Sequence, residues 1–175
     1  MNSATLHLPT VIVRRCYTAG MRVLGIDCGG EYTGYGVVEQ GGDAALVCLA
    51  AGAVRLNRRD PLAVRLLRVN QELRAVIQQY QPEVAAIEDV FHAANAKAAL
   101  KLGEVRGVAM LTAAACGLAV VGYGRAEKAQ VQEMVMRLLR LPQRPKPADV
   151  ADALAIAICH LHTAGTLAQQ RVGAR

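Results

Sequence analysis

Four carboxylates in this chain have the spacing and surroundings for metal-dependent chemistry. Asp149 and Asp152 stand three apart in the stretch 147–162. That stretch reads as a helix, because Pro147 suits a first helical position and the run behind it is rich in Ala, Leu and Ile. Both carboxylates therefore project from one face. Leu154, Ile158 and Leu161 line the opposite face, while Ile156 and Cys159 continue the carboxylate face. A helix apolar nearly all round is a buried helix. Its two acids sit at the N-terminal end, where a desolvated charge needs a partner. The helix dipole alone accounts for an acid at Asp149, in the first turn, but less well for Asp152. Asp27 and Glu88 each end a short apolar strand, at the sheet edge where ligands of α/β proteins gather. Four carboxylates facing one crevice repel one another, and some are neutralised unless a cation joins them. Magnesium takes oxygen ligands and bridges to phosphate. Two such ions, about 3.5–4 Å apart, would stabilise the entering water and the leaving oxygen of a phosphodiester.

The elements that must bring these acids together are legible along the chain. Residues 22–28 form an apolar run ending in an acid, Gly29 and Gly30 punctuate it, and 35–39 resume strand character, a hairpin pattern. Residues 44–55 read as a third strand. Asp60 and Pro61 open a helix whose stripe is Leu66, Val69, Leu73, Val76 and Tyr80. Arg65, Arg68 and Arg74 lie off that stripe and are expected in solvent. Gln81 and Pro82 close it, and 83–88 make a short buried strand, with Asp89 turned to the other face. Asn95 caps an Ala-rich helix running to about Cys116, with Ala98, Ala99, Leu102, Val105, Ala109 and Ala113 permitting close helix contact; Gly117 ends it. Residues 122–124 read as a loop, 125–139 as a helix and 142–147 as a basic linker. The pattern predicts one α/β domain, a mixed sheet flanked by helices.

Composition narrows the function classes. A chain of 175 residues that is 53% hydrophobic can bury a sizeable core, and no apolar run is long enough to span a bilayer. A formal charge of +6 and a pI of about 9.3 fit a polyanionic partner. The five cysteines (Cys16, Cys28, Cys48, Cys116, Cys159) show no C-x-x-C spacing, so neither a zinc site nor a disulfide framework is indicated; reduced thiols in the cytoplasm are the simplest account. Residues 1–20 carry no signal-peptide pattern and read as a loose extension. Residues 21–162 hold the domain, and 163–175 are expected as a mobile, weakly basic tail. His160 and His162, two apart on a helix, face different ways and are not read as a metal pair. Tyr123, between two glycines, fills a turn or touches DNA.

The motifs resemble those of a known family. Val23–Asp27 with Thr33–Val38 is similar to the opening of the RuvC family of Holliday-junction resolvases. Ala86–Phe91 with Asn95 and Ala99–Gly103 resembles its second motif, and Gly124–Val131 and Ala148–Ala155 its third and fourth. The resemblance covers about residues 21–162, in the family's order. It implies a ribonuclease H-like fold, a homodimer and magnesium-dependent cutting of four-way DNA junctions in recombination and repair. It further implies the junction-binding and branch-migration proteins RuvA and RuvB as partners. By matching position, Asp27, Glu88, Asp149 and Asp152 are the metal-binding acids. Phe91 corresponds to an aromatic that stacks at the junction centre, Lys128 to a basic residue near the cleaved phosphate, and Arg125 to a DNA contact. The Ala-rich helix matches the dimer helix, and a two-fold dimer would set one site on each of two like strands.

Two departures carry expectations of their own. Cys28 replaces the family's usual Pro. The path from Leu118 to Gly122 is short where members carry about a dozen more residues, including an active-site lysine, so the fifth strand is expected to be truncated. No lysine lies between Lys101 and Lys128. A second reading is therefore a junction-binding dimer whose nuclease is lost or weakened. A third, an actin-like phosphotransferase suggested by Gly25–Gly30, ranks below both because such enzymes need two domains of this kind.

Overall fold

The computed structural model describes residues 20–42, 45–89, 95–124 and 128–173, with the side chains of 128–130 and 166–173 excepted. Three strands open it: β1 (Arg22–Cys28), β2 (Tyr32–Gln40) and β3 (Leu46–Arg55). They form an antiparallel meander, with Gly25 opposite Gly36 and Asp27 opposite Gly34. Helix α1 (Leu62–Tyr80) carries the chain across to β4 (Val84–Glu88), which lies parallel to β1, and α2 (Ala96–Ala115) carries it to β5 (Ala119–Tyr123), parallel to β4. The sheet order is β3-β2-β1-β4-β5. Helices α3 (Lys128–Leu138) and α4 (Ala148–Gly173) follow.

Strand alternation sends side chains into two cores. Val23, Val38, Val84 and Ala86 face α3 and α4, where Leu154, Ile158 and Leu161 are buried. Leu24, Ile26, Ala85 and Ile87 face α1 and α2, against Val69, Leu73, Val105 and Ala109. Glycines decide how closely α4 approaches. A Cβ on Gly25 would fall 1.9 Å from the Ala153 carbonyl oxygen, and one on Gly34 would fall 2.0 Å from that of Asp149. The sheet thus meets the helix backbone itself, which is what lets the helix's first turns reach the ends of β1 and β4.

Several expectations need correcting. Arg65 is buried, at 9% exposure, and its NH2 donates to the Gly30 carbonyl at 3.3 Å; its place just before Leu66 turns it under the loop after β1. Arg68 and Arg74 are exposed as expected. Gly122 and Tyr123 are the last residues of β5, not a loop. The strand is short, as a fragment would be, yet it pairs with every residue of β4, from Val84–Ala119 to Glu88–Tyr123. The Asp89 N–H extends that ladder to the Tyr123 carbonyl at 2.8 Å. Residues 163–173, expected as a mobile tail, continue α4, in keeping with their Ala, Leu and Gln content. Pro147 precedes the helix instead of opening it. Asn95 does cap α2, its side chain accepting from the Ala98 N–H at 2.9 Å.

Candidate active site

The parallel pairing of Ile26 with Ile87 brings the next residues, Asp27 and Glu88, side by side at the carboxyl ends of two neighbouring strands. Both point to the α4 face. Asp149 lies in the first turn of α4 and Asp152 one turn on, at the helix end that favours negative charge. Gly29 has no side chain where one would strike Asp149, whose Oδ1 lies 2.5 Å from an ideal Cβ there. Its absence seats Asp149 against the loop after β1. The structure thus brings all four expected acids into one crevice.

Their electrostatics follow from that crowding. Asp27 is 6% exposed, and its pKa is pushed up from 3.8 to about 8. Burial is the largest cause, followed by a hydrogen bond with the Glu88 carboxyl and by the charges of Glu88, Asp149 and Asp152. A buried carboxyl crowded by other acids ordinarily keeps its proton when no cation joins them. Among the described residues no group of three or more His, Cys, Asp or Glu side chains stands at metal-holding distances. The donor set nonetheless suits a hard divalent cation, being all oxygen and too negative to ionise fully on its own. A bound cation would take the place of the Asp27 proton.

A cleft of about 310 Å³ opens beside the acids, between α3 and α4. Glu88, Asp152 and Tyr123 line one end; Met134, Leu138 and Ile156 line its apolar flank. Tyr123 OH lies 2.7 Å from His160 Nδ1, and the rings meet edge to face. Burial lowers the His160 pKa, so the ring is neutral near pH 7. His160 is buried while His162 is exposed, as their helical spacing requires. Cys28 is also buried, on the opposite sheet face, and desolvation pushes its thiol up to about 12; it packs as an inert side chain. Lys128 is the first residue of α3, its side chain undescribed, and Phe91 and Arg125 fall outside the described residues.

The sequence model of the family described as "Crossover junction endodeoxyribonuclease RuvC" matches residues 23–160. The chain belongs to the RuvC family. The protein of that name from Koribacter versatilis is 61% identical over 166 residues, spanning 88% of this chain and all of the relative. The one from Acidobacterium capsulatum is 49% identical, over 86% of this chain and 99% of the relative. Among solved structures, T. thermophilus RuvC in complex with Holliday junction substrate has a TM-score of 0.77 and 31% identity, covering 83% of this chain and 96% of that one. The ribonuclease H-like sheet is thereby shared. The Koribacter alignment runs over 166 residues while 88% of the 175-residue chain is about 154. About a dozen positions of that RuvC relative have no counterpart here.

Sequence reasoning misses Arg106. Its Nε donates to the Glu88 carbonyl at 3.0 Å, and its NH2 pairs with Asp89 Oδ1 at 2.5 Å. It also misses the bond between Tyr123 and His160. Neither has a local signal, since each joins residues far apart in the chain. The strand alternation of β5 is the one clue that could place Tyr123 beside Glu88.

Proposed function

We propose that the chain is a structure-selective endodeoxyribonuclease that resolves Holliday junctions by paired phosphodiester hydrolysis. The observation that carries the reading is the meeting of Asp27, Glu88, Asp149 and Asp152 in one crevice, in a chain of the RuvC family. In this reading the four carboxylates would hold magnesium, two ions per site, which would supply charge to an attacking water and a departing oxygen. Asp27 would lose its proton on becoming a ligand. Lys128, at the start of α3, stabilises charge developing on the phosphate. Phe91 stacks on a base, and Arg125 holds backbone phosphate. The exposed face of α2 supports a homodimer, since Leu100 and Leu111 are 65% and 67% exposed and nothing crowds Gly103 or Gly107. RuvA and RuvB would deliver the junction in the cytoplasm; no helix among the described residues is long and apolar enough to cross a membrane.

The missing dozen positions favour one alternative, a dimer that binds junctions with its nuclease lost or weakened. A synthetic four-way junction separates the two. Paired nicks that need magnesium and vanish in Asp152→Asn support the nuclease. Binding without nicks, unchanged by Asp152→Asn, supports the alternative.

A further inference from the structure

Behind the sheet, away from the acid crevice, the Arg106 guanidinium holds the end of β4. Arg106 lies on the inward side of α2, half-buried between the exposed Gly103 and Gly107. Its Nε–H donates to the Glu88 carbonyl at 3.0 Å, its NH2 reaches Asp89 Oδ1, and its NH1 lies 3.1 Å from Met110 Sδ. The Asp89 N–H in turn donates to the Tyr123 carbonyl. Gly122 leaves room for the clamp, because a Cβ there would sit 2.8 Å from Asp89 Oδ1.

This position is where constraint is needed. Glu88–Tyr123 is the last pair of the β4–β5 ladder, and past it a single bond, from the Asp89 N–H to the Tyr123 carbonyl, ties the end of β4 to the sheet. A charge-assisted, two-pronged contact adds to that constraint, the planar guanidinium reaching both acceptors at once. We infer that Arg106 is a positioning residue, which together with Asp89 fixes the backbone of β4 so that the Glu88 carboxylate faces the metal-binding crevice. The inference rests on the proposal that Glu88 holds metal.

Manganese binding followed by electron paramagnetic resonance tests it without relying on cleavage. Arg106→Gln is expected to weaken Mn²⁺ binding about tenfold and to lower kcat for junction cleavage by about ten- to a hundredfold, the scale of a displacement of roughly an ångström. Junction affinity in EDTA stays within about twofold. Arg106→Lys, which keeps the Asp89 pair but not the fork, recovers part of both losses. A variant that melts lower yet binds Mn²⁺ like the parent overturns the inference, since support of the fold alone would produce that result. If Arg106→Gln does not fold, Asp89→Asn decides in the same way. Glu88→Gln separates the two levels. Unchanged Mn²⁺ binding in that variant refutes the metal site itself, whereas weakened binding there with no effect of Arg106→Gln refutes only the positioning role.

Discussion

The buried Asp27 carboxyl makes stability depend on pH in a direction opposite to that of most carboxylates. Asp27 rises from 3.8 to about 8 on folding. Between those values the folded chain binds more protons than the unfolded one, so stability falls as pH rises. This contribution is fully present below 3.8 and is lost as pH climbs through about 8. The shift sets a ceiling of about 6 kcal/mol on the loss. Relaxation and water reaching a carboxyl that is 6% exposed keep the realised loss below that ceiling. Half the ceiling, about 3 kcal/mol, would lower Tm by about 6–12 °C in a chain of this size. In EDTA the Tm is therefore expected to fall between pH 5 and pH 9. Magnesium should restore it at pH 9, because a ligand that binds only the folded state stabilises that state. Asp27→Asn removes the charge that must be buried, so its metal-free form should melt above the parent at pH 9 and respond little to magnesium. Scanning calorimetry of both proteins in EDTA, with and without added magnesium, measures all of this. A flat Tm in the parent, or the same fall in Asp27→Asn, would refute the reasoning.

Other predictions follow from packing and charge. Gly25→Ala drives a methyl into the Ala153 carbonyl and should cost about 3 kcal/mol or more, seen as a lower urea midpoint at unchanged m-value. Asn95→Ala removes the α2 cap and should cost about 1 kcal/mol; a change below a few tenths in urea unfolding would show that the cap contributes nothing. Leu154→Ala, buried where α4 meets Gly36, should cost about 2–5 kcal/mol, against little effect from Leu111→Ala in the monomer. Junction affinity should fall steeply with salt, because phosphate contacts dominate it; a flat titration from about 50 to 200 mM would count against a basic DNA surface.

Much of the arrangement is legible in the amino-acid sequence. Asp27 and Glu88 can be set at strand ends because short apolar runs bounded by Gly, Pro and acids have few other readings. Asn95 and Gly117 mark the ends of α2 through capping chemistry that acts within a few residues, and Gly117 does take a positive φ of 83°. The burial of α4 follows from its having apolar residues on every face. Where local pattern misleads, the cause is a contact from elsewhere in the chain. Arg65 looks solvated against the stripe of its own helix, whereas its burial depends on the loop after β1 lying above it. Tyr123 looks like a loop residue because two glycines flank it; pairing with Glu88 makes it a strand residue.

The amino-acid sequence by itself determined the acids, the elements that carry them and the family to which the chain belongs. Each of those rests on interactions within a few residues or on an order of motifs along the chain. The tertiary structure decided the rest. It brought Asp27 beside Glu88 and buried it, which raises the Asp27 pKa. It left no room for a side chain at Gly25, Gly29 or Gly34, so that α4 could deliver Asp149 and Asp152 to the same crevice. It also set Arg106 behind Glu88. These are properties of distance, burial and dielectric, and they exist only once strands and helices remote in the chain have packed together.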